Sequence, residues 1–304
     1  MSLLVVGSIA YDSIKTPFGE VNKVLGGAAI YSAVSASFFN SVNLVGVVGN
    51  DFPSEEIEFL QSRGIDTSGV TYQSGDTFFW QGEYGYDMNN AHTLDTRLNV
   101  FEDFDPKLPD CYIESDYVFL ANIDPDIQIN VLKQVKSPKF TALDTMDFWI
   151  KTKKDRLIDA ISMVDILLIN EGEAKQLTRE YNLLKAAKSI LKYGIKYLVI
   201  KRGEYGVLLF HDGNIFSLPA YPLEIVKDPT GAGDTFAGAF MGYISKFTKL
   251  DTQHLRKAVV MGTIMASINV EDFSLRRLRN IDLDYISVRL KEFRNVLHFE
   301  EIHF

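Results

Sequence analysis

The stretch that decides the fold is DPTGAGDTFAGAF, residues 228–240. Three of its residues are glycines, and its second acid, Asp234, directly follows one of them. If a helix begins at Ala232, its first backbone N–H groups lack partners within the helix and lie at the positive end of the helix dipole. Gly231 and Gly233 leave room for an anion to reach those groups. The stretch therefore predicts an anion hole for a phosphoryl group, with Asp234 placed to accept the proton of an attacking hydroxyl.

Around this stretch, continuously apolar runs of strand length alternate with helical patterns. The predicted strands are residues 3–9, 42–49, 117–122, 139–144, 165–170 and 197–201. The predicted helices are residues 26–39, 54–64, 153–163, 172–180 and 183–193, with closing helices and a last strand beyond Glu271. Such alternation is typical of a parallel sheet covered by helices on both faces. We therefore predict an α/β fold.

Two segments, residues 12–24 and 77–99, depart from this alternation. Residues 77–99 mix aromatic residues, threonine and turn formers, and residues 12–24 have a similar composition. Both patterns favour exposed antiparallel strands. A phosphoryl-transfer site at open strand ends must be covered to exclude water. We therefore predict a small β-lid, formed by about residues 12–24 and 77–99, within a single domain of residues 1–304.

Composition limits the class of protein. Of the 304 residues, 46% are hydrophobic, and the net charge is −9. This acidic balance makes nucleic acid an unexpected partner. A single cysteine, Cys111, excludes a disulfide framework. Residues 24–50 carry no charge, but glycines, serines and asparagines interrupt them, so we expect no membrane span and a cytoplasmic protein.

Three well-known nucleotide-binding patterns do not fit this chain. The first apolar run is followed by GSIAYD, which has one glycine where a Rossmann fingerprint has three. No glycine–lysine pair is present, so there is no Walker P-loop. The H-R-D and D-F-G motifs of protein kinases are absent as well.

The full string at 228–240 resembles the C-terminal signature of the ribokinase-like carbohydrate kinases, the phosphofructokinase-B family. An ordinary glycine-rich helix start is the alternative for GAGD alone. The other motifs of the family follow in order as GGAAIYSA (26–33), VGND (48–51), NEGE (170–173) and KRGEYG (201–206). The resemblance covers nearly the whole chain. It implies a ribokinase-like three-layer sandwich with a central, mostly parallel sheet and a β-lid.

The resemblance also implies roles for individual residues. Asp234 matches the catalytic base, and the backbone of Gly231, Ala232 and Gly233 matches the anion hole. Asn170 and Glu173 match the N-x-x-E motif that organises Mg²⁺ and its waters, although the same spacing is a helix capping box.

Further positions match the substrate and nucleotide sites of the family. Asp12 resembles the acid that holds substrate hydroxyls, and Gly26 and Gly27 resemble the glycine pair beside it. A turn acid and a tight turn before a helix are the alternatives. The expected ATP-binding residues are Lys201, Gly203, Gly206 and Thr230. Asp228 matches a position near a monovalent cation, which implies K⁺.

Tyr31 departs from the family pattern, which has asparagine there as a substrate-binding amide. An aromatic ring at this position leaves room for a ring-stacked substrate such as a nucleoside. Four aromatic residues of the lid segment offer further stacking surfaces, although cross-strand packing explains each of them as well. They are Phe79, Trp80, Tyr84 and Tyr86.

We therefore expect an ATP- and Mg²⁺-dependent kinase that phosphorylates a hydroxymethyl group of a small sugar, polyol or ribonucleoside. The alternative is a non-catalytic regulator with the same fold, which would be expected to lose the base or the metal motif; Asp234, Asn170 and Glu173 are all present. Family resemblance further implies that the lids of two chains can pair and form a homodimer.

Overall fold

The computed structural model describes residues 1–298 and 300, which form two sheets and surrounding helices. The strands are β1 (Leu3–Val6), β2 (Ala10–Thr16), β3 (Gly19–Gly26), β4 (Val42–Val48), β5 (Ile65–Tyr72), β6 (Phe78–Tyr84), β7 (Ala91–Arg97), β8 (Tyr117–Leu120), β9 (Phe140–Asp144), β10 (Ile166–Asn170), β11 (Tyr197–Lys201), β12 (Val207–His211) and β13 (Asn214–Leu218). The helices are α1 (Ala28–Ala36), α2 (Ser54–Ser62), α3 (Pro125–Gln134), α4 (Asp147–Thr152), α5 (Lys154–Ser162), α6 (Glu171–Thr178), α7 (Leu183–Leu191), α8 (Ala232–Ile244), α9 (Thr252–Asn269), α10 (Arg276–Arg279) and α11 (Leu283–Leu297).

The larger sheet has nine strands in the order β13-β12-β11-β10-β9-β8-β1-β4-β5. From β11 to β5 all neighbouring strands are parallel, and β12 and β13 add an antiparallel edge. Because parallel strands end at the same edge of a sheet, the last residues of β9, β10 and β11 emerge side by side. Those residues are Asp144, Asn170 and Lys201.

The sheet is buried on both faces, as its continuously apolar strands require. Along β1, Leu3 and Val5 pack into one core while Leu4 and Val6 pack into the other. The first core includes residues of α1, α2, α8, α9 and α11, and the second includes residues of α3 to α7. The result is a three-layer α/β sandwich.

The smaller sheet has four strands in the order β3-β2-β6-β7. It is built from the two segments with lid character, 12–24 and 77–99, although β2 pairs with β6 in parallel. Its apolar side is a small cluster of Ile14, Val21 and Phe273, with Trp80 and Tyr84 packed against it. Antiparallel pairing is not confined to this lid, because the β11–β12–β13 edge of the larger sheet is antiparallel too.

Glycines in α8 bring this helix into close contact with α1. A Cβ atom at Gly238 would lie 2.1 Å from the Ser32 carbonyl oxygen, and one at Gly242 would lie 2.7 Å from Cα of Ala36. The hydroxyl of Ser32 also donates to the carbonyl of Asp234 at 3.0 Å. The small residues of α8 thus serve helix–helix contact.

Three further details of the structure bear on the sequence-based expectations. Pro53 occupies the position before α2, so Ser54 is the first helical residue and makes no capping hydrogen bond. The chain beyond Glu271 forms α10 and α11, and within residues 1–298 and 300 no strand follows β13. Residues 299 and 301–304 lie outside the described part. In the part that the structure describes, no helix is both long and apolar enough to cross a membrane.

Candidate active site

The N-terminus of α8 has the geometry of an anion hole. Gly231 precedes the helix with φ at 71°, a left-handed conformation that favours glycine. The N–H of Ala232 donates to the Pro229 carbonyl at 3.1 Å. Within the described residues, the N–H groups of Gly233 and Asp234 have no other backbone group as acceptor. The N–H of Gly231 likewise donates to no backbone acceptor in the described residues. Two of the three predicted anion-hole residues, Gly231 and Gly233, therefore have free N–H groups, and Asp234 adds a third.

The carboxyl group of Asp234 lies in the first turn of α8, beside this hole. Burial, together with the negative charge of Asp144, raises the pKa of Asp234 to about 6, although Lys201 opposes the shift. A carboxylate with this pKa is ionised at neutral pH and is a better proton acceptor than an exposed aspartate.

Tyr31 packs beneath the anion hole. Its side chain is 1% exposed, and a Cβ atom at Gly231 would lie 2.4 Å from its Cγ atom. The ring face that meets Gly231 is therefore not available for stacking on a substrate. Its hydroxyl is buried and has no hydrogen-bond partner among the described residues.

Asp12 lies on β2 and points toward the start of α1. A Cβ atom at Gly26 would lie 1.9 Å from an Asp12 carboxylate oxygen, so only glycine fits there. Gly27 adopts φ of 94°, and a Cβ atom there would lie 2.5 Å from the Ser8 carbonyl oxygen. Burial and the negative charges of Asp228 and Asp234 raise the pKa of Asp12 to about 8. The three predicted substrate residues Asp12, Gly26 and Gly27 are thus adjacent.

Lys201 and Asp144 form a buried ion pair at the carboxyl edge of the larger sheet. The Lys201 Nζ atom lies 2.6 Å from Asp144 Oδ2, and the two side chains are 16% and 4% exposed. Burial opposes the charge on Lys201, but Asp144 and Glu173 raise its pKa above the ordinary value. The Lys201 ammonium also faces α8, because a Cβ atom at Gly233 would lie 3.1 Å from Nζ.

Asn170 and Glu173 form a complete capping box at the start of α6. The Asn170 Oδ1 atom accepts from the Glu173 N–H at 2.8 Å, and Glu173 Oε2 accepts from the Asn170 N–H at 2.9 Å. Burial and the nearby Asp144 raise the pKa of Glu173 to about 8. Glu173 can cap the helix and also take part in a metal site, because only one of its two carboxylate oxygens accepts a hydrogen bond in the capping box.

The predicted nucleotide loop joins β11 to β12. Gly203 has φ of 54°, and a Cβ atom there would lie 2.9 Å from the side chain of Asn89, in the turn between β6 and β7. Gly206 has φ of 86°, and a Cβ atom there would lie 2.1 Å from the Leu218 carbonyl oxygen. The structure thus brings the lid turn to Gly203, whereas Gly206 is required by contact with β13.

Asp228 and Thr230 tie the loop before α8 to its neighbours. The buried Asp228 carboxylate accepts from the N–H groups of Thr230, at 2.9 Å, and Ser274, at 3.0 Å. The Thr230 carbonyl accepts from the Asn269 amide at 2.9 Å, and its hydroxyl donates to the Tyr84 hydroxyl at 3.1 Å. The Thr230 side chain therefore contacts the lid.

The lid aromatics have separate environments. Tyr84 bonds to Thr230, and Phe79 packs against the larger core beneath the guanidinium of Arg97. Trp80 covers Gly82 of its own strand, since a Cβ atom at that glycine would lie 2.3 Å from the indole ring. Tyr86 is 90% exposed.

Asp144 and the Tyr84–Thr230 bond are the features that sequence reasoning missed. Asp144 ends the apolar run FTALD, and an acid at the carboxyl end of a predicted parallel strand is a usable signal for a site residue. No sequence pattern connects Tyr84 to Thr230, which are 146 residues apart.

Known proteins resemble this chain over most of its length. The model of the pfkB family carbohydrate kinases matches residues 2–280. The cytidine kinase of Thermococcus kodakarensis is 32% identical over 262 residues, which are 83% of this chain and 91% of the relative.

Solved structures share the fold. Aminoimidazole riboside kinase from Salmonella enterica, complexed with aminoimidazole riboside and an ATP analog, superposes with a TM-score of 0.75 at 18% identity, covering 95% of this chain and 100% of the other. A double mutant of fructokinase from Vibrio cholerae, bound to fructose, ADP and potassium ion, superposes with a TM-score of 0.80 at 16% identity, covering 95% and 98%.

The length of the family match and the identity to a curated relative agree with the site geometry. The chain belongs to the pfkB family and is a carbohydrate or nucleoside kinase.

Proposed function

We propose that this protein transfers the γ-phosphoryl group of ATP to a hydroxymethyl group of a ribonucleoside, with cytidine as the first candidate. The observation that carries the reaction is the ionisable carboxyl of Asp234 in the first turn of α8, beside the free N–H of Gly233. The ribonucleoside is supported by the relative named a cytidine kinase, to which the chain is 32% identical.

In the proposed reaction, Asp234 accepts the proton of the substrate hydroxyl. The oxygen of that hydroxyl forms a bond to the γ-phosphorus, and the bond from this phosphorus to the bridging oxygen of ADP breaks. The N–H groups of Gly233 and Asp234 bind the phosphoryl oxygens during the transfer. The products are ADP and a phosphate monoester.

Asp12 is proposed to position the substrate. A carboxyl group can bond to two neighbouring hydroxyls of a sugar ring at once. Its enclosed place next to Gly26 and Gly27 brings the sugar against the backbone, and Asp228 and Asp234 lie near enough to affect its charge. The substrate hydroxyl and the base are thereby held in one pocket, which is the main requirement for phosphoryl transfer.

The residues near Lys201 fit Mg²⁺ bound mainly through phosphates and water. Three carboxyl groups, Asp144, Glu173 and Asp234, surround one ammonium group. Even with Glu173 protonated, as its pKa of about 8 implies at neutral pH, two carboxylates face the single ammonium. Among residues 1–298 and 300, no three His, Cys, Asp or Glu side chains are arranged to hold a metal ion by themselves. Glu173 would bind a metal-bound water, and Mg²⁺ would neutralise phosphate charge.

The cytoplasmic location stays a prediction. A monovalent cation near Asp228 also stays a prediction. The carbonyl of Thr230 and the carboxylate of Asp228 already accept hydrogen bonds from Asn269, Thr230 and Ser274. A buried oxygen of Asn269, Oδ1, has no partner among the described residues and is an available oxygen ligand for K⁺.

The test is a steady-state assay of phosphate transfer from ATP to cytidine, uridine, adenosine, inosine, ribose, fructose and inositol. We expect kcat/KM for at least one ribonucleoside to exceed that for every free sugar by about tenfold or more. The position of the new phosphate is read by NMR. A higher kcat/KM for ribose or fructose than for every ribonucleoside would show that the substrate is a sugar.

Asp234→Asn tests the base. Turnover should fall by ~10²–10⁴, the usual contribution of a positioned base, while nucleotide affinity and the melting temperature stay close to wild type. Asp251→Asn is a matched control, since Asp251 also lies at a helix N-terminus but caps α9. If Asp234→Asn keeps turnover within about threefold of wild type, Asp234 is not the base.

A further inference from the structure

The Lys201–Asp144 pair bridges the carboxyl edge of the larger sheet. Asp144 ends β9, Lys201 ends β11, and β10 lies between them. The Lys201 side chain therefore reaches across one strand to place its Nζ atom 2.6 Å from Asp144 Oδ2. A buried ion pair of this kind contributes little net stability, because desolvation of both charges offsets their attraction.

The ammonium of Lys201 faces the N-terminal turn of α8. Its Nζ atom is 3.1 Å from the position that a Cβ atom of Gly233 would occupy, so it faces the N-terminal turn of α8. That turn is the positive end of the helix, which repels a cation. The Lys201 ammonium and the N-terminus of α8 both attract negative charge, so an anion bound between them would be stabilised by both.

Both carboxylate oxygens of Asp144 accept a hydrogen bond within the protein. Its Oδ1 atom accepts from the Thr145 N–H at 2.8 Å, and its Oδ2 atom accepts from Lys201. The Asp144 carbonyl also accepts from the buried Gln128 amide at 3.0 Å. The Thr145 N–H thus fixes the carboxylate, and the Gln128 amide fixes the main chain of Asp144, so that the carboxylate can hold the ammonium of Lys201 in place.

We propose that Lys201 is a catalytic residue whose ammonium stabilises the phosphoryl group during its transfer, and that Asp144 is the positioning residue that aims it. This inference rests on the proposed kinase function. While the phosphorus–oxygen bond to ADP breaks and the bond to the substrate oxygen forms, the substrate proton goes to Asp234. Lys201 keeps all of its protons and contributes charge alone, together with the N–H of Gly233.

The chain contains a matched control pair at the opposite end of the same strand. Lys196 directly precedes β11, and its Nζ atom lies 2.7 Å from Oδ1 of Asp165, which directly precedes β10. The Lys196 side chain is 70% exposed and lies at the other edge of the sheet from α8. Variants of Lys196 and Asp165 therefore remove one lysine ammonium and one aspartate carboxylate at a distance from the proposed site.

The test compares Lys201→Met, Asp144→Asn, the double variant, Lys201→Arg, Lys196→Met and Asp165→Asn. We expect Lys201→Met to lower kcat by ~10²–10³, the usual effect of removing one group that stabilises transition-state charge. KM for the substrate should change by less than about threefold. Asp144→Asn should lower kcat by ~10–10². Lys201→Arg should restore part of the loss, and the two control variants should stay within about twofold of wild type.

Two readouts separate a positioning role from a structural one. Because Asp144 acts through Lys201, the double variant should be no slower than Lys201→Met alone. Affinity for ADP with tetrafluoroaluminate and substrate, which imitates the group in transfer, should fall with kcat, whereas affinity for ADP alone should change little.

Several results would overturn the inference. Lys201→Met with kcat within threefold of wild type would do so, as would a double variant whose loss is the product of the two single losses. If Lys201→Met does not fold, the double variant is used instead, because it leaves no unpaired buried charge. A double variant with kcat within threefold of wild type would then overturn the inference. A wild-type protein that phosphorylates no member of the panel would contradict the proposed function instead; the affinity for ADP with tetrafluoroaluminate would still test Lys201.

Discussion

At the scale of single residues, the candidate active site brings together carboxyl groups that have little contact with water. Burial raises the pKa of Asp12 and of Glu173 to about 8 and that of Asp234 to about 6. Neighbouring acids add to each shift, and Lys201 opposes it at Glu173 and Asp234. The free energy of folding therefore depends on pH between the ordinary aspartate value and pH 8.

The sign of this dependence follows from the raised pKa of Asp12. Between about pH 4 and pH 8 the folded protein holds a proton on Asp12 that the unfolded chain has lost. Stability must then fall as pH rises through this range, by at most about 1.4 kcal/mol per pH unit for one proton. We expect the ligand-free protein to unfold at lower urea concentration at pH 8 than at pH 5.

Asp12→Asn should reduce that pH dependence, since asparagine does not titrate. Urea unfolding at pH 5, 6, 7 and 8 measures it, with the exposed acid Asp103 changed to asparagine as the control. An identical pH slope in Asp12→Asn and wild type would show that Asp12 does not hold the extra proton.

At the scale of elements, α6 combines a helix cap with a charge at the site. Gln can replace Glu in a capping box, so Glu173→Gln keeps the hydrogen bond to the Asn170 N–H and removes only the ionisable carboxyl group. We expect a melting temperature close to wild type and an Mg²⁺ requirement raised several-fold, because an amide holds metal-bound water less well.

A magnesium titration of activity, run beside thermal unfolding, tests Glu173→Gln. Glu171→Gln in the same helix turn is the control, since Glu171 pairs with Lys175 and Arg202. A variant that loses stability but keeps the wild-type magnesium profile would assign Glu173 to capping alone.

The β6–β7 hairpin is joined to the loop before α8 by the hydrogen bond between Thr230 and Tyr84. Tyr84→Phe removes this bond, which contributes about 1 kcal/mol. We expect the backbone amides of residues 78–97 to exchange with deuterium about fivefold faster, because the lid opens more often. Tyr86→Phe is the matched control, as Tyr86 is exposed on the same hairpin. Equal exchange in both variants would show that the bond does not hold the lid.

At the scale of the whole molecule, the smaller sheet has an open edge. Among the described strands, β7 pairs only with β6, and most of its residues are exposed, Leu94 among them. Open edge strands tend to pair with another strand, and the predicted homodimer through the lid would cover this one. We expect light scattering to give twice the chain mass of 34.3 kDa.

Leu94→Lys should shift the mass toward one chain, because a buried charge at the interface disfavours pairing. Leu184→Lys on α7 is the control, since Leu184 is comparably exposed but remote from the lid. A mass of one chain for the wild type would contradict the dimer and leave the lid itself unaffected.

Much of this architecture could be predicted from the sequence because its causes are local. The predicted helix at Ala232 is confirmed, since glycines, a helix-favouring apolar run and an acid in the first turn all lie within thirteen residues. The six predicted parallel strands all occur, because strands buried on both faces must be apolar throughout. The lid segments differ from them in composition because strands β3 and β7 have many exposed residues.

The sequence by itself determined the family, the α/β fold and the adjacency of Asp234 to a glycine-rich helix start, because these depend on neighbours along the chain. Only the tertiary structure decided that Asp144 meets Lys201, that Tyr31 is covered by Gly231, and that Tyr84 bonds to Thr230. These contacts join residues 57 to 200 positions apart, and they arise because parallel strands end at one edge and α8 packs against α1 there. These long-range contacts depend on strand order and helix packing, which cannot be deduced from any local pattern of residues.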